Sequence, residues 1–274
     1  MSNLNMSLVS VEWLYNNLDL PNLVVLDGTI PKVTEQGLES DTIQIPNARF
    51  FDIKKKFSDV AAPFPNTVPS EEQFNLEARE LGINTNSIII VYDDKGIYSS
   101  ARVWYLFKAF GHKQVAVLDG GLPEWVAKGY AVEEKKTGTY SLGNFHGTYY
   151  PDYFKFFDDI QNLKEDNSCT ILDARSSERF NGTVAEPRAG LRSGNIPGSE
   201  SLPFKQLMDG YCMKPVEELK HIFASFQLED NTLICSCGSG ITACIIALAY
   251  TLTGNTNMSV YDGSWTEYGT LTDA

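Results

Sequence analysis

VLDGGLPEW, at Val117–Trp125, returns as VYDGSWTEY at Val260–Tyr268. Two other stretches behave the same way. VVLDGT (Val24–Thr29) is echoed by TILDAR (Thr170–Arg175), and IPNARFFD (Ile45–Asp52) by IPGSESLPF (Ile196–Phe204). A single shared Asp-Gly turn is easily accounted for by chance. Three echoes in the same order, at nearly one separation, call for two copies of one domain. The chain has 274 residues, which suits this, because a domain commonly takes ~100–200 residues.

Each copy alternates short apolar runs with helical stretches. Leu23–Leu26 and Thr170–Leu172 end at an Asp turn. Ile88–Val91 and Thr232–Ile234 are rich in β-branched residues, as strands buried on both faces should be. Each of that second pair runs into a glycine-containing loop and then a helical stretch, Ser100–Phe110 or Thr242–Thr253. Val115–Leu118 and Ser259–Tyr261 supply a further strand each. Ser10-x-x-Trp13, Ser70-Glu71-Glu72 and Pro215-Val216-Glu217-Glu218 mark helix starts. The pattern predicts α/β domains, each a mainly parallel sheet flanked by helices. The glycines and proline of Lys135–Asp152 place the link between the copies there, with the first copy over 1–137, a linker over 138–152 and the second copy over 153–274. The Pro-rich Ala62–Ser70 reads as a surface loop within the first copy.

Charge narrows the partners. Lys and Arg number 22 against 35 Asp and Glu, a net charge of −13. Phosphate backbones and anionic membranes both need a basic face, so no nucleic acid and no membrane are expected as partners. No apolar run approaches the ~20 residues of a membrane span. MSNLNMSLVS lacks the basic start and apolar core of a signal peptide. Five cysteines (Cys169, Cys212, Cys235, Cys237, Cys244) suit free thiols in a reducing cytoplasm better than a disulfide scaffold.

One loop carries chemistry. In ICSCGSGITACIIALA (Ile234–Ala249) a strand ends near Cys235 and a helix opens near Thr242. Ligands of open α/β sheets bind beyond the carboxyl ends of the strands, which is where Cys237 falls. Gly238 and Gly240 let the backbone curl its N–H groups inward, and the helix N-terminus adds about half a positive charge. Both favour a thiolate or a persulfide anion. A buried structural Cys, or a phosphate cradle, would leave the same trace. A Cys-x5-Arg phosphatase loop is excluded, since Ala243 stands where the arginine belongs. The C-x-C spacing of Cys235 and Cys237, with Cys244 inside the helix, does not suit a zinc site. The histidines, His112, His146 and His221, read as surface or capping residues, so no Cys–His dyad is expected.

These motifs resemble the tandem rhodanese-domain sulfurtransferases over nearly the whole chain, and within them the mercaptopyruvate branch. The resemblance rests on IPNARFFD, VPSEEQF, the run YDDKGIYSSARVWYLFKAFGHKQVAVLDGGLPEW, VYDGSWTEY and above all CGSGIT at Cys237–Thr242. It implies two tandem rhodanese-like domains. The first would be an inactive scaffold with Asp93–Asp94 at the place of the cysteine, and the second would be catalytic. Cys237 would be the sulfur-carrying nucleophile, assisted by Ser239. Gly238, Gly240, Ile241 and Thr242 would bind substrate through the loop. Arg179-Phe180 and Glu186-Pro187-Arg188 repeat the spacing of the branch's two carboxylate-binding arginines, so Arg179 and Arg188 are expected to hold the donor. The small-molecule donor would be 3-mercaptopyruvate or thiosulfate. The acceptor would be cyanide or a thiol such as a thioredoxin-like protein, with no cofactor and no metal required.

Two alternatives share the fold. A thiosulfate:cyanide sulfurtransferase wants cations beside the loop, and CGSGIT itself contains none. A non-catalytic persulfide carrier would bind one protein tightly and turn over every small donor slowly. The sequence also departs from the family at the two His-Ile-Pro-Gly sites, which read Gln44-Ile45-Pro46-Asn47 and Asn195-Ile196-Pro197-Gly198. Gln44, with Val33 near the place of an upstream acid, removes the expected relay to Ser239.

Overall fold

The computed structural model of the chain describes residues 6–31, 42–163, 169–226, 228 and 231–273. They form two compact units. One comprises Met1–Val60, Val68–Tyr150 and Gly210–Met213; the other comprises Ala61–Thr67, Pro151–Asp209 and Lys214–Ala274. The Pro-rich segment expected to stay with the first copy thus joins the second over Ala61–Thr67. The physical reason is side-chain bonding from Asn66, described below.

Each unit is built on a five-stranded sheet, and the two sheets are copies. In the first the order is Leu8–Val9, Val115–Leu118, Ile88–Tyr92, Leu23–Asp27, Arg49–Phe50. In the second it is Phe154–Lys155, Met258–Tyr261, Thr232–Ser236, Cys169–Asp173, Glu200–Ser201. Every neighbouring pair is parallel. The echoed motifs occupy equivalent places: Asp27 pairs with Tyr92 and Asp173 with Ser236 at the ends of the central strands. The two central strands are buried along nearly their whole length, which explains why neither alternates apolar with polar residues.

Local signals set the helices. Ser10 Oγ accepts the N–H of Trp13 at 3.1 Å and opens Val11–Asn17; Ser70 Oγ accepts that of Gln73 at 3.2 Å and opens Glu71–Glu80. Pro215 precedes Val216–Phe223, where its missing N–H costs nothing. The helix after the second central strand, Ala243–Leu252, is buried at every residue from Ala243 to Tyr250. A helix apolar on all sides belongs inside the protein, and each of the buried Ile245, Ile246 and Leu248 contributes ~1.5–3 kcal/mol by leaving water. Trp125 lies in the first core with Leu14, Ile90 and Leu118, and its counterpart Tyr268 in the second with Ile171, Ile234 and Trp265.

One expectation about the histidines is corrected. His112 is 7% exposed, packs against Phe107 and Phe145, and has Nε2 2.9 Å from the carbonyl of Ser87. Its position after the helix end at Ala109 suggested the surface, but the chain turns inward there and the ring fills the aromatic core. Among the described residues no helix is long and apolar enough to cross a membrane.

Candidate active site

Cys237 is the first residue beyond the central strand Thr232–Ser236, at the carboxyl end of the sheet, and is 2% exposed. The loop after it runs to Thr242, the N-cap of the helix Ala243–Leu252. Its turn requires Gly240 at φ +72°, a left-handed conformation that suits glycine. Ser264 holds this loop from the side. Its Oγ accepts the N–H groups of Cys237 at 3.1 Å and Gly240 at 3.2 Å, donates to the carbonyl of Tyr261 at 2.8 Å, and lies 3.9 Å from Cys237 Sγ. The carbonyls of Cys237 and Gly238 accept the N–H groups of Trp265 at 3.0 Å and Thr266 at 2.9 Å. The echo VYDGSWTEY is therefore the support of the Cys237 loop. The N–H groups of Ser239, Ile241, Thr242 and Ala243 have no acceptor among the described residues. Unsatisfied amides at a helix N-terminus are suited to an anion.

The two expected arginines converge on this loop. A Cβ placed on Gly238 would lie 3.1 Å from Arg179 Nη2 and 3.9 Å from Arg188 Nη1. They are held differently. Arg188 donates from Nη1 to Thr266 Oγ1 at 2.7 Å and from Nη2 to Ser239 Oγ at 3.0 Å. Arg179, on the short helix Ser177–Phe180, forks onto Glu186, with Nε to Oε1 at 3.2 Å and Nη2 to Oε2 at 2.6 Å. Glu186 is 8% exposed and is shared with Arg175, whose Nη1 reaches Oε1 at 2.9 Å. Arg175 is itself forked onto Asp173 and lies over the Trp265 ring. A buried chain of alternating charge, Asp173–Arg175–Glu186–Arg179, thus aims Arg179 from the end of the strand Cys169–Asp173. The loop sequence contains no cation, but the fold brings two beside it.

Ser239 is contacted on a second side by Asn66. Asn66 Nδ2 lies 2.9 Å from the Ser239 carbonyl and 3.0 Å from its Oγ. Gln44, expected to leave Ser239 without a relay, is engaged elsewhere: its amide donates to the Ala48 carbonyl at 3.1 Å and to Glu133 Oε1 at 2.8 Å. Val33 lies outside the described residues. His146 and His221 are exposed, and no hydrogen bond joins any of the three histidines to the loop among the described residues.

Several residues here were not singled out from the sequence. Ser264 and Thr266 lie inside an echoed motif, so they were within reach of closer reading. Arg175 follows the echoed Asp173 by two residues. Asn66 is 173 residues from its partner and gave no signal. Two other thiols lie near the loop. Cys235 is fully buried, and desolvation, reinforced by Cys244 and Cys237, pushes its thiol well up. Cys244 donates to the Gly240 carbonyl at 3.4 Å.

Comparison with known proteins agrees with this architecture. The rhodanese-like domain family matches residues 10–128 and 157–270. The chain is 41% identical to thiosulfate/3-mercaptopyruvate sulfurtransferase 1, mitochondrial, of Arabidopsis thaliana, over 97% of this chain and 76% of that protein. It is 35% identical to the 3-mercaptopyruvate sulfurtransferase of Escherichia coli K12, over 97% of this chain and 95% of that one. Among solved structures, the crystal structure of the 3-mercaptopyruvate sulfotransferase SseA from Escherichia coli superposes with a TM-score of 0.85 at 32% identity, covering 95% of this chain and 99% of that one. Two matching domains, a shared fold and identity along nearly the full length make the chain a member of the rhodanese family.

Proposed function

We propose that this chain is a 3-mercaptopyruvate sulfurtransferase. The observation that carries the reading is the convergence of Arg179 and Arg188 on Gly238, next to Cys237. A planar guanidinium fork matches a carboxylate, and two of them beside a loop cysteine would place a small 2-keto acid with its thiol at Cys237. The relatives named for this donor support it.

Cys237, as thiolate, attacks the thiol sulfur of 3-mercaptopyruvate. The new S–S bond forms as the C3–S bond breaks, and its electron pair passes into the enolate of pyruvate. Arg188 and the hydroxyl of Ser239 face the developing negative charge, an arrangement that acts like an oxyanion hole. Protonation at carbon releases pyruvate. The persulfide on Cys237 lies against the N–H groups of Ser239, Ile241, Thr242 and Ala243 until an acceptor thiol or cyanide takes the outer sulfur. Such a covalent intermediate requires ping-pong kinetics. Five free thiols, including the nucleophile, suit a reducing compartment such as the cytoplasm.

One observation favours a second donor. Because two guanidiniums flank Gly238, an anionic thiosulfate would also find cations at the loop, and the Arabidopsis relative's name includes both donors. Turnover with 3-mercaptopyruvate and with thiosulfate, on one preparation at equal concentrations, decides between them. A higher kcat/KM with 3-mercaptopyruvate supports the first reading, and a preference for thiosulfate overturns it.

A further inference from the structure

We infer that Asn66 is a positioning residue that makes Ser239 a hydrogen-bond donor only. Asn66 is 4% exposed, and its segment, Ala61–Thr67, belongs to the same unit as Cys237. The identity of the contacting atom follows from chemistry. The same side-chain atom lies 2.9 Å from the Ser239 carbonyl and 3.0 Å from Ser239 Oγ. A carbonyl oxygen accepts and never donates, so the atom facing it must be the amide nitrogen and not the amide oxygen. Arg188 Nη2, which carries no lone pair to offer, reaches the same Oγ at 3.0 Å.

A serine hydroxyl has two acceptor lone pairs and one hydrogen. Asn66 and Arg188 together take both lone pairs. The Ser239 hydrogen must then point away from both, and it has no acceptor among the described residues. Ser239 is left unable to remove a proton and able only to give a hydrogen bond, toward whatever oxygen occupies the site. An amide does not titrate, so this polarity is constant with pH. The backbone of Asn66 fits a fixed role too. It holds φ +66°, a left-handed conformation that Asn adopts more readily than most residues.

This inference rests on the proposed role of Ser239 toward the keto oxygen of 3-mercaptopyruvate. Its test keeps the left-handed backbone, using Asn66→Gly and Asn66→Asp, each with and without Ser239→Ala. A neutral hydrogen bond corresponds to roughly two- to twelve-fold, so Asn66→Gly should lower kcat by that factor and change KM less. In the Ser239→Ala background the same substitution should lower kcat much less, because the hydroxyl it orients is gone and only its bond to the backbone carbonyl of residue 239 remains. Asn66→Asp should be worse than Asn66→Gly, since a carboxylate draws the Ser239 hydrogen toward itself. An equal loss from Asn66→Gly in both backgrounds would overturn the inference, as would an Asn66→Asp enzyme faster than Asn66→Gly. If Ser239→Ala alone keeps the full kcat, the role proposed for Ser239 fails first. If Ser239→Ala is slow but Asn66→Gly is not, only the inference fails.

Discussion

Asp93 occupies in the first unit the place that Cys237 occupies in the second. Each is the first residue past its central strand, and each gives its carbonyl to the residue after the echoed motif's turn, Leu122 at 3.0 Å and Trp265 at 3.0 Å. The loop around Asp93 closes on its own carboxylate. Oδ2 accepts the N–H groups of Tyr98 at 2.7 Å, Ser99 at 2.9 Å and Ser100 at 2.9 Å, and the hydroxyl of Ser100 at 2.7 Å. The first-unit loop thus carries its own acceptor, whereas the N–H groups of Ser239, Ile241, Thr242 and Ala243 in the second have none among the described residues.

That relationship gives a stability prediction. Hydrogen bonds to a charged group are worth ~1.5–3 kcal/mol, and buried amides left without an acceptor add to the cost. Asp93→Ala should lower the thermal midpoint by several degrees, and Asp93→Asn, which keeps one acceptor oxygen, by less. Calorimetry checks both. An unchanged midpoint for Asp93→Ala would mean the carboxylate is not what holds the loop closed.

Cys237 should be the only thiol that carries sulfur. Cys237→Ser should abolish transfer with every donor, while Cys235→Ser and Cys244→Ser keep most of it. Cys235 is fully buried with its thiol pushed well up, so it should also resist alkylation in the native protein. Intact-mass spectrometry after donor treatment, followed by peptide mapping, locates the added sulfur. Sulfur found on Cys235 would refute the assignment.

The arginines should separate by what else they hold. Arg188→Ala should raise KM for 3-mercaptopyruvate roughly ten- to 150-fold, the equivalent of one charge-assisted bond, with little change in thermal midpoint. Arg188→Lys should recover only part, because the fork is lost. Arg179→Ala should raise KM similarly and also lower the midpoint, since the buried Glu186 carboxylate loses one of its two guanidinium partners. Steady-state kinetics and melting curves on the same variants test this. Wild-type KM for both alanine variants would put the carboxylate elsewhere.

Acid should weaken the first unit through His112. Burial moves its pKa down from the usual value near 6.5, so the folded protein prefers the neutral ring. A group depressed in this way contributes stability that is complete above the unfolded value and is lost as pH falls through the folded one. The thermal midpoint should therefore drop as pH is taken from 7.5 to about 5. In His112→Gln, which has no charge to gain, that slope should be shallower. An identical slope in the variant would remove His112 from the account.

The architecture was legible in the sequence because it depends on local and periodic features. The runs at Ile88–Val91 and Thr232–Ile234, rich in β-branched residues, read as buried parallel strands, the caps at Ser10 and Ser70 act within three residues, and the three echoes declared the duplication. The position of Cys237 followed too, because a strand, a glycine turn and a helix in succession leave the loop in one place. What the tertiary structure decided was everything that depends on residues far apart in the chain. No sequence pattern joins Asn66 to Ser239, 173 residues further on. The spacing of Arg179 and Arg188 already marked them for the donor, but only the fold shows that both guanidiniums meet at Gly238. His112 read as a surface residue because helix ends usually are, until the fold wrapped Phe107 and Phe145 around it. Hydrogen bonds and ion pairs act over about 3 Å of space whatever the separation in sequence, and only the folded chain sets which donors meet which acceptors.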